Sequence, residues 1–243
     1  MTLSPSPQLL LSSLLLALTS IAIFFFISRR KNQAQRNVLL LTGPSDSGKT
    51  AIFSSLIHGH AIPTNTSMQV NSSFITTTQV VDVPGHPRLR DQFKEFLPLA
   101  KAVVFVVDAN TVSRNAAVAA EHLHSILDAI MAIPPSQPLP TLLILAHKAD
   151  LIKASSISAD TTTLAITRVQ TILERELERR RHSGGGVGVE SLGEDSEKSS
   201  GLDCHGPSGT FKFDNWEGGD VVFLATSVKT SIAPLTEWVE ENM

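Results

Sequence analysis

The chain has 243 residues, of which 42% are apolar and 18% charged, with a formal net charge of -3. These proportions exclude wholesale disorder, and the near balance of acid and base excludes a protein that coats nucleic acid. The single cysteine, Cys204, excludes a disulfide framework and a cysteine-built zinc site, and fits a reducing compartment for the main domain.

The first element is the stretch 9–28, LLLSSLLLALTSIAIFFFIS, which carries no charge. As a helix rising 1.5 Å per residue it would be about 30 Å long, the thickness of a bilayer core. Arg29, Arg30, Lys31 and Arg36 follow it, and no Lys or Arg precedes it. The pattern predicts a single transmembrane helix over 9–28, a lumenal or exterior N-terminus over 1–8, and a basic juxtamembrane linker over 29–36 on the cytosolic side. A cleaved signal peptide would need a basic n-region and small residues at its cleavage site. The chain has Phe24-Phe25-Phe26-Ile27 there instead.

Residues 37–243 alternate between strand and helix signals. Continuous apolar runs at 37–41, 80–83, 102–107, 141–146 and 221–225 predict strands buried on both faces. Helices are predicted over 51–57, over 115–133 with Pro134-Pro135 as the stop, over 159–181 with Ser158 as N-cap, and over 236–242. His122 and His124, two apart on a predicted helix, face different sides and make a poor metal pair. The stretch 183–209 holds eight of the fourteen glycines and no apolar periodicity, so it predicts a flexible surface insert. The expected fold is α/β, a parallel-type sheet with helices on both faces.

Gly43-Pro44-Ser45-Asp46-Ser47-Gly48-Lys49-Thr50 fits G-x-x-x-x-G-K-[ST] between a predicted strand and a predicted helix. In that setting glycines let backbone N–H groups wrap phosphates, and the helix N-terminus adds positive charge. Lys49 would neutralise the β- and γ-phosphates, and the Thr50 hydroxyl would ligate Mg²⁺. Asp82-Val83-Pro84-Gly85-His86 ends another predicted strand. Asp82 there can hold Mg²⁺ through water, the Gly85 N–H can approach a γ-phosphate, and His86 can position an attacking water. A Thr for Mg²⁺ is expected in between, within Pro63-Thr64-Asn65-Thr66-Ser67, with Thr66 as the choice.

These segments, with the strand ending Val106-Val107-Asp108, resemble a Ras-type small GTPase, a P-loop NTPase fold. Ala146-His147-Lys148-Ala149-Asp150 stands where such proteins have N/T-K-x-D, the guanine-reading motif. The resemblance implies that Asp150 accepts from guanine N1 and the exocyclic amine and that the Lys148 stem packs along the base. The chain departs at His147, whose imidazole can donate one hydrogen bond. Ala225-Thr226-Ser227-Val228-Lys229 resembles the S-A-K loop, which implies a contact from the Val228 N–H to guanine O6.

With the membrane span, and with Thr66-Ser67, Asp82 to Arg90 and Phe211-Lys212-Phe213, the chain is similar to the beta subunits of the signal recognition particle receptor. That resemblance implies GTP or GDP with Mg²⁺ as cofactors, slow hydrolysis, and residence in the endoplasmic reticulum membrane. It implies GTP-dependent binding of the receptor's alpha subunit, which brings ribosomes to the translocon, and no direct nucleic-acid contact. Two alternatives stay open. An ARF-like trafficking GTPase is disfavoured by Thr2, where myristoylation needs Gly. A membrane-anchored P-loop ATPase is disfavoured by the Asp150 motif and kept open by His147.

Overall fold

The central strands bury both of their faces, which is why they read as unbroken apolar runs. In the computed structural model, residues 16, 19–21, 37–153, 160–184 and 210–243 are described. Residues Asn37–Met243 form one compact unit. Among the described residues its strands are β1 (Val38–Thr42), β2 (Asn71–Ile75), β3 (Thr78–Asp82), β4 (Ala100–Asp108), β5 (Thr141–His147) and β6 (Val221–Thr226). They lie in the order β2-β3-β1-β4-β5-β6. Every neighbouring pair is parallel except β2 and β3.

The helices are α1 (Lys49–His58), α2 (Phe93–Phe96), α3 (Ala116–Met131), α4 (Thr161–Gly184) and α5 (Ala233–Asn242). Leu39, Leu41, Val104, Val106, Leu143 and Leu145 face one side of the sheet, under Ile52 of α1 and Leu235 and Val239 of α5. Leu40, Val103, Phe105, Leu142 and Ile144 face the other, under Phe93 of α2, Leu123, Ile126 and Leu127 of α3, and Val169, Leu173 and Leu177 of α4. Burying each such side chain stabilises the fold by about 1.5–3 kcal/mol. Because β1 has β3 on one side and β4 on the other, the chain crosses opposite faces on leaving it. This creates a crevice at the carboxyl ends of the strands.

The five predicted parallel strands are present, and β2 is an addition. Its sequence, Asn71-Ser72-Ser73-Phe74-Ile75, has no apolar run because it is the edge strand and no residue in it is fully buried. It folds back on β3 through a turn at Thr76, whose φ is 54°. Helix ends also differ from expectation. The α1 helix starts inside the phosphate motif, at Lys49, and ends on Gly59, whose N–H donates to Ser55 O at 2.9 Å. Ser158 lies outside the described residues. Asp160 occupies the N-cap position of α4, its carboxylate accepting from the Thr162 N–H at 3.1 Å and the Thr163 hydroxyl at 3.0 Å. That helix continues to Gly184, so 183 and 184 are helical, and 185–209 of the expected insert lie outside the described residues. The α5 helix begins at Ala233, with a proline in its first turn.

No helix among the described residues is long and apolar enough to cross a membrane. The predicted span 9–28 lies outside them apart from Leu16, Thr19, Ser20 and Ile21, which are helical. The linker 29–36 and the whole of 1–8 are outside them as well.

Candidate functional site

The candidate site residues gather at the carboxyl ends of β1, β3, β4, β5 and β6. Gly43, Ser45, Asp46, Ser47 and Gly48 form the turn from β1 into α1, with Gly43 at φ 141°, Asp46 at φ 60° and Gly48 at φ 96°. Such angles are open to glycine and tolerated by Asp, which is why the motif's glycines sit at its two ends. Lys49 is buried beneath this turn and donates to Pro44 O at 2.8 Å. Burial lowers its pKa to about 8, although the Asp82 and Asp46 carboxylates pull it back up. A buried ammonium without a full counter-charge is a strong attractor for an anion.

Thr50 follows Lys49 in the first turn of α1. Its hydroxyl donates to Asp82 Oδ2 at 2.7 Å, and Ser67 Oγ lies 2.8 Å from it. Asn71 of β2 donates to the same Asp82 oxygen at 3.2 Å. Asp82 is fully buried, and its Oδ1 accepts no hydrogen bond. Burial therefore raises its pKa, against the hydrogen bonds from Thr50 and Asn71 and the charge of Lys49. A buried carboxylate oxygen left unpaired beside two hydroxyls is the donor set a hard cation takes, and these residues fit Mg²⁺. Thr66 lines the adjoining cavity, while Ser67 makes the direct contact with Thr50.

That cavity has a volume of about 250 Å³ and is walled by Ser45, Asp46, Gly48, Lys49, Thr50, Thr64, Asn65, Thr66, Ser67, Pro84 and Gly85. Gly85 presses on the phosphate loop so closely that a methyl group on it would lie 2.6 Å from Gly43 O. His86 follows outside this lining, and its Nδ1 accepts from the Arg88 N–H at 3.3 Å. Arg90 ion-pairs with Glu121 of α3, which also takes Arg180 of α4 at 3.3 Å. The segment after Gly85 is thereby tied to both helices.

The second half of the site lies beyond Asp46. Lys148, at φ 59°, donates to Asp46 O at 2.8 Å and to Asp108 Oδ2 at 2.9 Å. Asp108 also accepts the N–H groups of Asn110 and Thr111 through Oδ1. Burial raises its pKa, but the Lys148 ammonium and these N–H groups outweigh it and hold the carboxyl below its usual range. Asp150 is exposed, and its Oδ1 accepts from the buried Ser227 hydroxyl at 2.5 Å. Val228 follows in a loop closed by reciprocal backbone bonds between Ser227 and Ser231. His147 is buried, with Nδ1 3.2 Å from Thr226 Oγ1, and burial lowers its pKa to about 4.

Sequence reasoning missed Asn71, whose strand has no apolar signal, and gave no role to Asp108 or Thr226. The end of a buried strand was the available signal for those two.

A family model described as "Signal recognition particle receptor beta subunit" matches residues 34–221. The chain belongs to this family. The signal recognition particle receptor subunit beta of Mus musculus is 36% identical over 171 residues, a match covering 64% of this chain and 62% of that protein. The match thus spans less than two thirds of that relative's length. The solved structure entitled "The Structure of the Mammalian SRP Receptor" aligns with a TM-score of 0.65 at 29% identity, covering 85% of this chain and 100% of the other. A Chaetomium thermophilum structure described as "SRb-GTP/SRX complex" aligns with a TM-score of 0.59 over 86% of this chain and 99% of the other; at 21% identity it shows the fold alone. The receptor beta-subunit family has the Ras-like GTPase fold, and the mostly parallel sheet described above is that fold.

Proposed function

We propose that the chain is the membrane-anchored, GTP-binding subunit of the signal recognition particle receptor. In this reading residues 37–243 bind GTP or GDP with Mg²⁺ on the cytosolic face of the endoplasmic reticulum, anchored by 9–28. Gly43, Ser45, Asp46, Ser47, Gly48 and Lys49 hold the phosphates. Thr50, Asp82 and a hydroxyl of the 64–67 segment face the metal, which would neutralise phosphate charge. The observation that carries this reading is the Asp82 carboxylate, buried with Oδ1 unpaired, next to Thr50 at the mouth of the phosphate loop.

Guanine selectivity is supported by the Asp150–Ser227 hydrogen bond, which fixes the carboxylate to accept two donors from one base edge. Lys148 would lie along the base, with the Val228 N–H near its carbonyl. The γ-phosphate would draw in the Gly85 N–H and order 64–67 and 85–90, making the surface that binds the alpha subunit. His86 is the residue that would orient water for slow hydrolysis, since its Nδ1 is occupied by the Arg88 N–H and Nε2 is the atom left for water. The beta subunit thereby serves ribosome docking at the translocon indirectly.

The test is chemical. The full chain, purified in detergent with Mg²⁺, is denatured and its released nucleotide identified, and the stripped protein is titrated with GTP, GDP and ATP. Guanine-selective binding that weakens on chelating Mg²⁺, with alpha-subunit capture in GTP but not GDP, is the expected result. ATP selectivity, or no nucleotide at all, overturns the reading. Release of the chain from membranes by alkaline carbonate would separately overturn the anchor.

A further inference from the structure

His147 is 3% exposed, yet its side chain joins two loops of the nucleotide site. Its Nδ1 lies 3.2 Å from the Thr226 hydroxyl at the end of β6. Its opposite edge lies on Gly48 of the phosphate loop: a methyl group built on that glycine would stand 2.5 Å from His147 Cδ2 and 2.9 Å from Nε2. Its main-chain carbonyl accepts the Ala109 N–H at 2.9 Å, just past β4. With Nδ1 directed at Thr226 and the edge carrying Nε2 pressed on Gly48, both ring nitrogens are turned to protein and the residue is almost wholly buried. Lys148, immediately after it, enters the left-handed conformation that turns the chain toward Asp150.

We infer that His147 is a positioning residue that sets the spacing between the phosphate loop and the base-reading loops, by contact with Gly48 and a hydrogen bond with Thr226, and does not itself touch the nucleobase. The inference rests on the nucleotide reading above, and it gives His147, which the sequence placed among the nucleotide-binding residues, a role exerted through its neighbours. Purine selectivity then falls to Asp150, Ser227 and the Val228 N–H, while the residue at 147 governs how well phosphates and base are engaged at once. A buried ring suits this role because it is stiff. Burial lowers its pKa first, and the adjacent Lys148 charge lowers it further, against Asp108 and Asp150. The ring is thus neutral at physiological pH, and its geometry does not change with the local proton supply. Preorganised spacing of this kind raises affinity for the whole ligand without discriminating among bases.

Two measurements on the full chain test it, and the first needs no nucleotide. In stripped protein, His147→Ala is expected to speed amide hydrogen exchange about tenfold in 43–50 and in 226–231, with the interior of β4 unchanged. His147→Phe keeps the wall against Gly48 and loses the hydrogen bond, so it should retain protection in 43–50 and lose it in 226–231. If His147→Ala does not fold, His147→Ser, too short to reach Gly48, carries the same expectation in 43–50. In the second measurement GTP, GDP and 7-deaza-GTP are titrated, the last lacking the ring nitrogen a donor at 147 would reach. Wild type is expected to bind GTP and 7-deaza-GTP about equally, and the variants to weaken all three by a common factor of about ten. Unchanged exchange in His147→Ala overturns the inference whatever the nucleotide does. A preference of wild type for GTP over 7-deaza-GTP that disappears in the variants also overturns it, by showing base contact. Failure of wild type to bind any guanine nucleotide would instead overturn the functional reading and leave the exchange result to decide the positioning role.

Discussion

His122 lies inside the domain with Nε2 3.2 Å from Thr42 Oγ1 and Nδ1 without a hydrogen-bond partner. Burial lowers its pKa to about 3, helped by the charges of Arg90 and Lys49, while His147 falls to about 4. The unfolded chain takes up a proton on each ring near pH 6.5 and the folded chain does not. Stability is therefore fully present above 6.5 and is lost as pH falls toward the folded values, by about 1.4 kcal/mol per pH unit per ring. Asp82 acts with the opposite sign, since its raised pKa favours folding at low pH. Urea unfolding at pH 6.0 and 5.0 should show the net loss. His122→Phe, flanked by Phe93 and Phe105, should remove about half of the histidine slope, and an unchanged slope would refute the assignment. The phosphate loop offers a second residue-scale contrast. At Gly43, with φ 141°, a methyl group would stand 2.2 Å from Val106 O, whereas at Gly59 nothing lies within 4 Å. Gly43→Ala should cost about 2–4 kcal/mol in denaturant unfolding and Gly59→Ala about 1 kcal/mol. Equal costs would mean that φ alone, and not close approach, selects the glycine.

Among the elements, the return from 185–209 to β6 is held by α4 in a way its sequence does not announce. The Phe211 N–H donates to Glu178 Oε2 at 2.6 Å and the Phe213 N–H to Glu174 Oε1 at 3.4 Å, while Phe211, Phe213 and Trp216 enter the core. Glu178 also takes Arg181 at 3.0 Å and His182 at 2.8 Å. Glu178→Ala leaves a peptide N–H without its acceptor, so it should destabilise by about 1–3 kcal/mol. Asp91→Ala breaks an ion pair with Lys94 in which both side chains are more than half exposed, and should be within about 0.5 kcal/mol of wild type. Thermal unfolding of the two variants side by side checks this, and equal shifts would refute it. The same scale explains the strand that was not foreseen. β2 lies at the sheet's edge, its apolar positions Phe74 and Ile75 are not spaced as a buried face, and Phe74 is 66% exposed. Its contribution to the site, Asn71, arrives only through pairing with β3, where Asn71 stands opposite Asp82.

At the scale of the whole molecule, five strand ends converge on one crevice, so a ligand bound there contacts segments spread along most of the domain. A nucleotide that binds only the folded chain should therefore stabilise it globally, by about 4 kcal/mol at a thousand times its dissociation constant. GTP with Mg²⁺ should raise the unfolding midpoint in this way. Asp82→Asn should change nucleotide-free stability by no more than about 1 kcal/mol, since it removes a buried charge as well as a hydrogen-bond acceptor. The same variant should lose most of the Mg²⁺-dependent part of the nucleotide shift. Loss of nucleotide-free stability instead would make Asp82 a structural residue.

The sequence by itself determined the parallel strands, because burial on both faces requires unbroken apolar runs, and the phosphate loop, because its glycines, lysine and threonine act within one local turn. The family resemblance was legible for the same reason, since its motifs are short and contiguous. Only the tertiary structure decided that Ser67 rather than Thr66 touches Thr50, that Asn71 reaches Asp82, that Asp160 caps α4, and that His147 faces Gly48 and Thr226. Most of these are contacts between residues far apart in the chain, and their meeting is set by strand order, register and the volume available after packing. Those quantities exist only once the sheet has formed.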